Sequence, residues 1–139
     1  MNEAYIGLEF IVATLTGDPT LTALLPGGVH RGVADPTTPT PFISINLQAG
    51  TDVTTMNAVR LMSSLVYQIK VYGPSSTTVA VAQADHAMDA LLKRTSGTTS
   101  DGYVLSAYRD GSIFLDEILA GEQWVGCGGM YRLQVEQTS

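Results

Sequence analysis

The sequence predicts an α+β fold in which a small, mostly antiparallel sheet carries helices on one face. Three segments, 42–48, 64–72 and 130–136, alternate apolar and polar residues with period two, which is typical of strands with one buried face. Two other segments, 3–16 and 76–94, repeat apolar residues at three- and four-residue spacing, as amphipathic helices do. The 139 residues fit one domain, 1–139.

The N-terminal part predicts two helices and an edge strand. The helix over 3–16 is followed by Asp18 as a cap and Pro19 at the first position of a short second helix. The segment Val29–Val33 fits a short edge strand. The prolines within 35–41 remove backbone donors and predict an irregular loop that leads into the first alternating strand.

The segment Gly50–Ser63 joins the first two alternating strands. Its 14 residues exceed the usual two to five of a hairpin loop. The segment is therefore expected to be either a protruding hairpin, with the strands continuing into it, or a mobile loop. Long excursions from compact domains are often functional.

The helix over 76–94 has its own predicted end contacts. Ser75 or Ser76 can cap its first turn. Near its end, Asp89 can pair with Lys93 at i,i+4 spacing. The alanines along the helix favour close packing on the sheet.

The C-terminal third is expected to hold a polar loop and a hairpin. The loop covers 95–102, and Asp110-Gly111 predicts the hairpin turn between Tyr103–Arg109 and Ser112–Leu119. The glycines of 126–129 are interpreted as a bulge or bend where the last strand begins, with Cys127 half-buried inside it.

The charge of the chain argues against several partners. A net charge of −6 with only seven Lys and Arg residues disfavours nonspecific binding of nucleic acid. Charged residues make up only 14%, which hints that other protein covers part of the surface. The lone Cys127 excludes an intrachain disulfide, and there is neither a signal-like start nor a run of about 18 apolar residues. Assembly in a cytosol without a membrane partner is expected.

The same residues predict no enzyme, no cofactor and no metal site. His30, His86 and Cys127 are too scattered for a set of zinc ligands. No motif places Ser106 or Cys127 beside an oriented base, and no glycine pattern matches a phosphate loop. The acidic side chains that could form a catalytic pair are interpreted as solvated hairpin residues: Asp116, Glu117 and Glu122.

An interface is the remaining expectation. Apolar side chains on the long excursion suggest contact with another subunit. The only tryptophan is either a core anchor under the last strand or an interface anchor. The candidate interface residues combine the excursion with the polar strand face: Asp52, Met56, Arg60, Met62, Lys70, Trp124 and Arg132.

The order of these segments resembles the tail terminator, or tail completion, proteins of long-tailed bacteriophages. The resemblance lies in the N-terminal helix running into Leu15-Thr16-Gly17-Asp18-Pro19, then Pro41-Phe42-Ile43-Ser44-Ile45, a strand over 65–72, a helix, and a closing Tyr131-Arg132-Leu133 strand. It covers nearly the whole chain, through short and mostly structural motifs. The strand-rich stretch after the second long helix is longer and more irregular than the family pattern.

The resemblance implies a small antiparallel sheet with flanking helices, built into a hexameric ring. Such a ring in the virion caps the tail tube at its head-proximal end, stops tube polymerisation and joins the tail to the head connector. The implied partners are copies of the chain, the tail tube protein and the connector protein, with genomic DNA passing through the lumen without specific binding. The alternatives are another ring component of the same machine, a connector stopper or a tube subunit, and a small cytosolic ligand-binding domain.

Overall fold

The computed structural model describes residues 2–32, 37–54, 60–119 and 121–137, with the side chains of Arg60 and Leu119 outside the described part. The fold is α+β, as predicted. Its elements in chain order are α1 (Glu3–Thr16), α2 (Pro19–Leu24), β1 (Val29–Arg31), β2 (Phe42–Thr54), β3 (Arg60–Pro74), a 3₁₀ turn (Ser75–Thr77), α3 (Thr78–Leu92), β4 (Arg94–Thr98), β5 (Gly102–Leu119) and β6 (Glu122–Gln137).

The strands form one curled, six-stranded sheet in the order β1-β2-β3-β6-β5-β4. Every neighbouring pair is antiparallel except β1 and β2, which are parallel with Val29 opposite Ile43. The prediction of a mostly antiparallel sheet is confirmed.

The helices cover one face of this sheet, which we call the helix side. Alternation along β3 and β6 places their odd-numbered residues there, with Tyr67 opposite Tyr131. These side chains pack under α1 and α3 into one apolar cluster that includes Ile6, Ile11 and Met88. Close contact is visible at Tyr67, whose hydroxyl donates to the carbonyl of Ala4. One-sided burial of this kind leaves the other face of the sheet for other contacts.

The N-terminal helices begin as the sequence predicts. Asn2 accepts a hydrogen bond from the amide of Ala4 at 2.7 Å, and Asp18 accepts one from Leu21 at 3.1 Å. α3 differs from expectation, because a 3₁₀ turn occupies the predicted cap positions and Thr77 precedes the helix without a capping side-chain bond. Asp89 also contacts Arg109 at 3.1 Å, not Lys93, since it faces the sheet.

The long connection between β2 and β3 is a protruding hairpin, the first of the two alternatives. β2 pairs with β3 as far as Thr54 opposite Arg60, with a bulge after Leu47. The tip at 55–59, including Met56, lies outside the described residues. Leu47 was expected on the buried side of its strand; it faces that side, opposite Tyr67, but is 48% exposed.

Three expectations for the C-terminal third are wrong. The segment predicted as a polar loop contains β4, which pairs with β5. Asp110-Gly111 is not a turn: β5 runs straight through it with a bulge, and the turn to β6 contains Gly121 at φ 79°. The glycines of 126–129 do not bend the start of the last strand, since they lie within β6 and pair with both neighbouring strands.

Candidate assembly interface

The sheet face opposite the helices, here called the open face, carries four of the seven predicted interface residues. Alternation places Met62 and Lys70 of β3 there, and the β3–β6 register adds Trp124 and Arg132. This face carries the polar residues of the alternating strands and therefore lies outside the apolar core. The sequence pattern identifies the face directly for that reason.

Lys70 lies in the middle of the open face and is only 7% exposed. Its ammonium lies 4.9 Å from the centre of the Tyr72 ring, a cation–π distance. The side chain makes no hydrogen bond or ion pair with any residue that the structure describes. Its neighbours across the sheet are Ser44 and Gly128.

Trp124 belongs to an aromatic cluster at the end of the open face. Its ring centre lies 6.4 Å from that of Phe42, which in turn lies 5.8 Å from Tyr72 and 5.9 Å from His30. Trp124 is half-buried and is not part of the apolar core under the helices. The interpretation of this tryptophan as a core anchor is therefore wrong. The sequence analysis missed Phe42 and Tyr72 as its neighbours.

The remaining predicted residues do not form a single site. Arg132 pairs with Asp110 at 3.2 Å and donates to the hydroxyl of Ser64 at 3.3 Å. Asp52 is opposite Ser63, on the helix side of the hairpin, and accepts its hydroxyl at 2.6 Å. Met56 and the side chain of Arg60 lie outside the described residues.

Both edges of the sheet leave a long stretch of strand without a strand partner. β1 pairs only with residues 43–45 of β2, so the outer edge of 46–54 has no neighbouring strand in the described structure. β4 pairs only with residues 103–108 of β5, which leaves the outer edge of 110–119 unpaired as well. Unpaired strand edges are templates for another chain.

A small cleft opens on the helix side at the β2 edge. It has a volume of about 230 Å³ and is lined by Ala4, Tyr5, Leu8, Arg31, Ile45, Leu47 and Tyr67. We call it the edge cleft. Its walls are mostly apolar, and the arginine is its one charged residue. At the opposite edge, Phe114 and Ile118 on β5 are exposed at 60% and 77%. Neither feature was predicted from the sequence. The exposed pair on β5 was missed because the turn misplaced at Asp110-Gly111 concealed the length of the β5–β6 hairpin.

A polar network fixes α3 to the sheet. Asp89 pairs with Arg109 at 3.1 Å and accepts the hydroxyl of Tyr131 at 3.0 Å. One turn earlier, Asp85 accepts the Cys127 thiol at 3.3 Å. Burial and the nearby carboxylate raise the pKa of Cys127 to about 11. A thiol with such a pKa stays protonated at neutral pH and is a poor nucleophile.

The described residues hold neither a metal-binding cluster nor a membrane-spanning helix. Across 2–32, 37–54, 60–119 and 121–137, no three or more His, Cys, Asp or Glu side chains lie close enough to hold a metal ion. None of the helices in that part of the chain is long and apolar enough to cross a membrane.

The comparisons with known proteins give a likeness of fold. No protein-family model and no curated protein sequence matches the chain. Among solved structures, the chain is similar to one from the virion of a native gene transfer agent particle, with 16% sequence identity and a TM-score of 0.67. The match covers 91% of each chain. At this identity, the likeness concerns the fold alone.

Proposed function

We propose that the chain is a structural virion protein of a phage-like particle that forms a ring at the head-proximal end of the tail tube. In this role it stops tube polymerisation and joins the tail to the head connector. The shared fold with a chain of a gene transfer agent virion supports a virion role, and the order of its segments, which resembles tail terminator proteins, supports the position in the tail.

The observation that carries the ring is the pair of unpaired strand edges. A closed ring is built from heterologous contacts, in which one surface of a subunit meets a different surface of the next. The free stretch 46–54 of β2 and the free stretch 110–119 of β5 lie on opposite edges of one sheet. Two different surfaces on opposite sides are what a head-to-tail contact requires. A compact monomer would normally shield such edges.

The open face supplies a further surface for the tube or the connector. Trp124, Phe42 and Tyr72 give it an aromatic cluster, and Lys70 lies beside the cluster. Aromatic residues at the centre of a patch are typical of binding hot spots. Six copies at −6 each would carry a total of −36, which disfavours tight contacts with DNA in the lumen.

A mixture with purified tail tubes tests this function. Negative-stain electron microscopy should show single rings on one end of each tube and no growth of the chain into tubes of its own. Trp124→Ala should weaken addition to the tube or connector while leaving the ring formed, since the open face is separate from the strand edges. The proposal fails if the chain stays monomeric at high concentration and leaves tube ends bare.

A tube or connector-stopper subunit is the second candidate, and one observation favours it. Tube proteins carry a long β-hairpin that extends the sheet of a neighbour. The sequence suggested only Gly50–Ser63 for that role, yet β5 and β6 form a longer hairpin with strands of 18 and 16 residues. Long tubes of the purified chain in the same micrographs would select the tube subunit, and rings that bind a connector but not tube ends would select the stopper.

A further inference from the structure

The β5–β6 hairpin has an exposed row of side chains on the helix side of the sheet. Register with β6 places Phe114, Asp116 and Ile118 there, opposite Cys127, Val125 and Gln123. The two apolar members are 60% and 77% exposed, and Asp116 between them is exposed as well. We call this row the hairpin ridge. It is apolar at both ends and acidic in the middle.

The edge cleft lies at the opposite edge of the sheet and on the same side. Leu47 and Tyr5 in its wall are 48% and 44% exposed, so the cleft presents apolar surface to solvent. Arg31 is its one cationic residue. Neither the side chain of Arg31 nor that of Asp116 has a hydrogen bond or ion pair with any other residue in the described ranges. An apolar recess with an unpaired cation therefore lies across the sheet from an apolar ridge with an unpaired carboxylate.

We propose that the hairpin ridge of one copy docks into the edge cleft of the next copy, with Asp116 against Arg31. This inference rests on the proposed ring and names its subunit contact. We assign the cleft to a second copy of the chain, because every subunit carries both the cleft with its cation and the matching acidic ridge. The contact is heterologous, as ring closure requires.

The directions of the strands suit this contact. β2, β3, β6 and β5 are successively antiparallel, so β5 runs opposite to β2. If neighbouring sheets continue with their helix sides aligned, β5 of one copy meets β2 of the next in antiparallel orientation. Their free stretches, 110–119 and 46–54, lie toward opposite ends of the sheet. Adjacent copies are therefore offset along the strands, and strands that are offset in a closed ring are tilted to its axis.

Charge reversal tests the predicted pair. Arg31→Asp and Asp116→Arg, each alone, place like charges together and should weaken association between copies tenfold or more, which is about 1.4 kcal/mol per contact. The double variant restores opposite charges and should return association to near the wild-type level. Gln83→Asp is the control, because Gln83 is an exposed residue on α3 and belongs to neither edge of the sheet. It should leave association unchanged.

An apolar pair of variants tests the ridge. Ile118→Ser should abolish or strongly weaken association, whereas Val79→Ser should not. Val79 is the matched control because it is 71% exposed on α3, close to the 77% of Ile118. Both side chains are too exposed for their loss to unfold the chain, and circular dichroism checks this. Analytical ultracentrifugation gives the association constants.

Disulfide trapping gives a second readout that does not depend on affinity. In a Cys127→Ala background, Leu47→Cys and Ile118→Cys are made in separate chains and then mixed under oxidising conditions. Mixed dimers should form, and each variant alone should form far fewer. Within one chain the two positions lie on β2 and β5, with two strands between them, about 14 Å apart in the sheet. A disulfide cannot span that distance, so any crosslink joins two copies.

The outcomes separate this inference from the proposed ring. Loss of association in the single reversals with rescue in the double variant, together with mixed crosslinks, supports both. Rings that form normally in the Ile118→Ser and Arg31→Asp variants, without crosslinks, overturn the docking and leave the ring standing. Single reversals without rescue overturn the Arg31–Asp116 pairing. A cleft filled instead by a tail tube or connector peptide would give crosslinks to that partner alone and would also overturn the inference.

Discussion

Asp89→Ala tests the account of how α3 is held on the sheet. Tyr131 is fully buried, and its hydroxyl donates to Asp89 at 3.0 Å. Removing the carboxylate leaves that phenol without its acceptor, which costs about 1–3 kcal/mol. Arg109 also loses its ion pair with Asp89 at 3.1 Å. Both side chains are about a quarter exposed, so we count no more than about 1 kcal/mol for the pair.

The expected total is a loss of about 1–4 kcal/mol in the free energy of unfolding. Urea denaturation followed by far-UV circular dichroism measures it. Asp85→Ala is the matched control one turn earlier on the same helix. Asp85 accepts only the weak thiol donor of Cys127, and its second oxygen is buried without a partner. That variant should cost less than about 1 kcal/mol, since it removes an unpaired buried polar atom as well as a weak bond.

A second substitution separates the phenol from the ion pair. In the Asp89→Ala background, Tyr131→Phe removes the orphaned hydroxyl and should cost little or restore part of the lost stability. In the wild-type background the same change should cost about 1 kcal/mol, the net value of one hydrogen bond. The reasoning is refuted if Asp89→Ala unfolds within about 0.5 kcal/mol of the wild type, a change typical of uninvolved surface positions.

Gly128→Ala should destabilise the fold by about 1–3 kcal/mol, because an added Cβ would lie 1.9 Å from the carbonyl oxygen of Ile69 on the neighbouring strand. Gly50→Ala is its control in the same urea assay and should be milder, since its Cβ would meet only the movable end of a leucine side chain at 2.9 Å; equal losses would contradict the close backbone approach. Alkaline pH should also destabilise the protein. Burial raises the pKa of Cys127 from 9.0 to about 11, and it raises the pKa of Tyr131 as well. Between pH 9 and 11 the folded chain therefore keeps the Cys127 proton that the unfolded chain releases. The free energy of unfolding should therefore fall as the pH rises from about 9 through 11, and a flat profile in urea melts across that range would contradict the burial of these groups.

The regular elements were predictable because their signals are local. Apolar spacing located α1 and α3, Asp18 located the start of α2, and period-two alternation located the centres of three strands. Each of these depends on residues within one element. The protruding β2–β3 hairpin was one of two expected forms of its segment, because the 14 residues were too long for a tight turn.

The misplaced hairpin shows where local signals fail. Asp-Gly favours a turn, but a bulge uses the same freedom of glycine, and Gly111 accordingly has φ 154° inside a continuous strand. The turn that joins β5 to β6 contains Gly121 without an Asn or Asp before it. Pairing of β5 with the full length of β6 decides which of the two glycines forms the turn. The residues around either glycine do not show that pairing.

The candidate interface was predictable only on one face. Alternation identified the open face, so Lys70 and Arg132 were found together with it, whereas Trp124 was nominated as the only tryptophan and joins that face through the β3–β6 register. The hairpin ridge and the edge cleft lie on the helix side, where the same alternation indicates core. Phe114 and Ile118 are exposed because the 18-residue β5 extends beyond the cover of the helices. The extent of that cover depends on tertiary packing and cannot be predicted from a short segment of sequence.

Native mass spectrometry of the full chain over a concentration series tests the central claim most directly. The claim is that two different surfaces on opposite edges of the sheet join copies head to tail. It predicts one closed oligomer of a single stoichiometry and no stable dimer at any concentration. The resemblance to tail terminator proteins implies six copies. A dimer that persists as the end state indicates one self-complementary surface and contradicts the claim. So does a monomer at every concentration, with or without tail tubes.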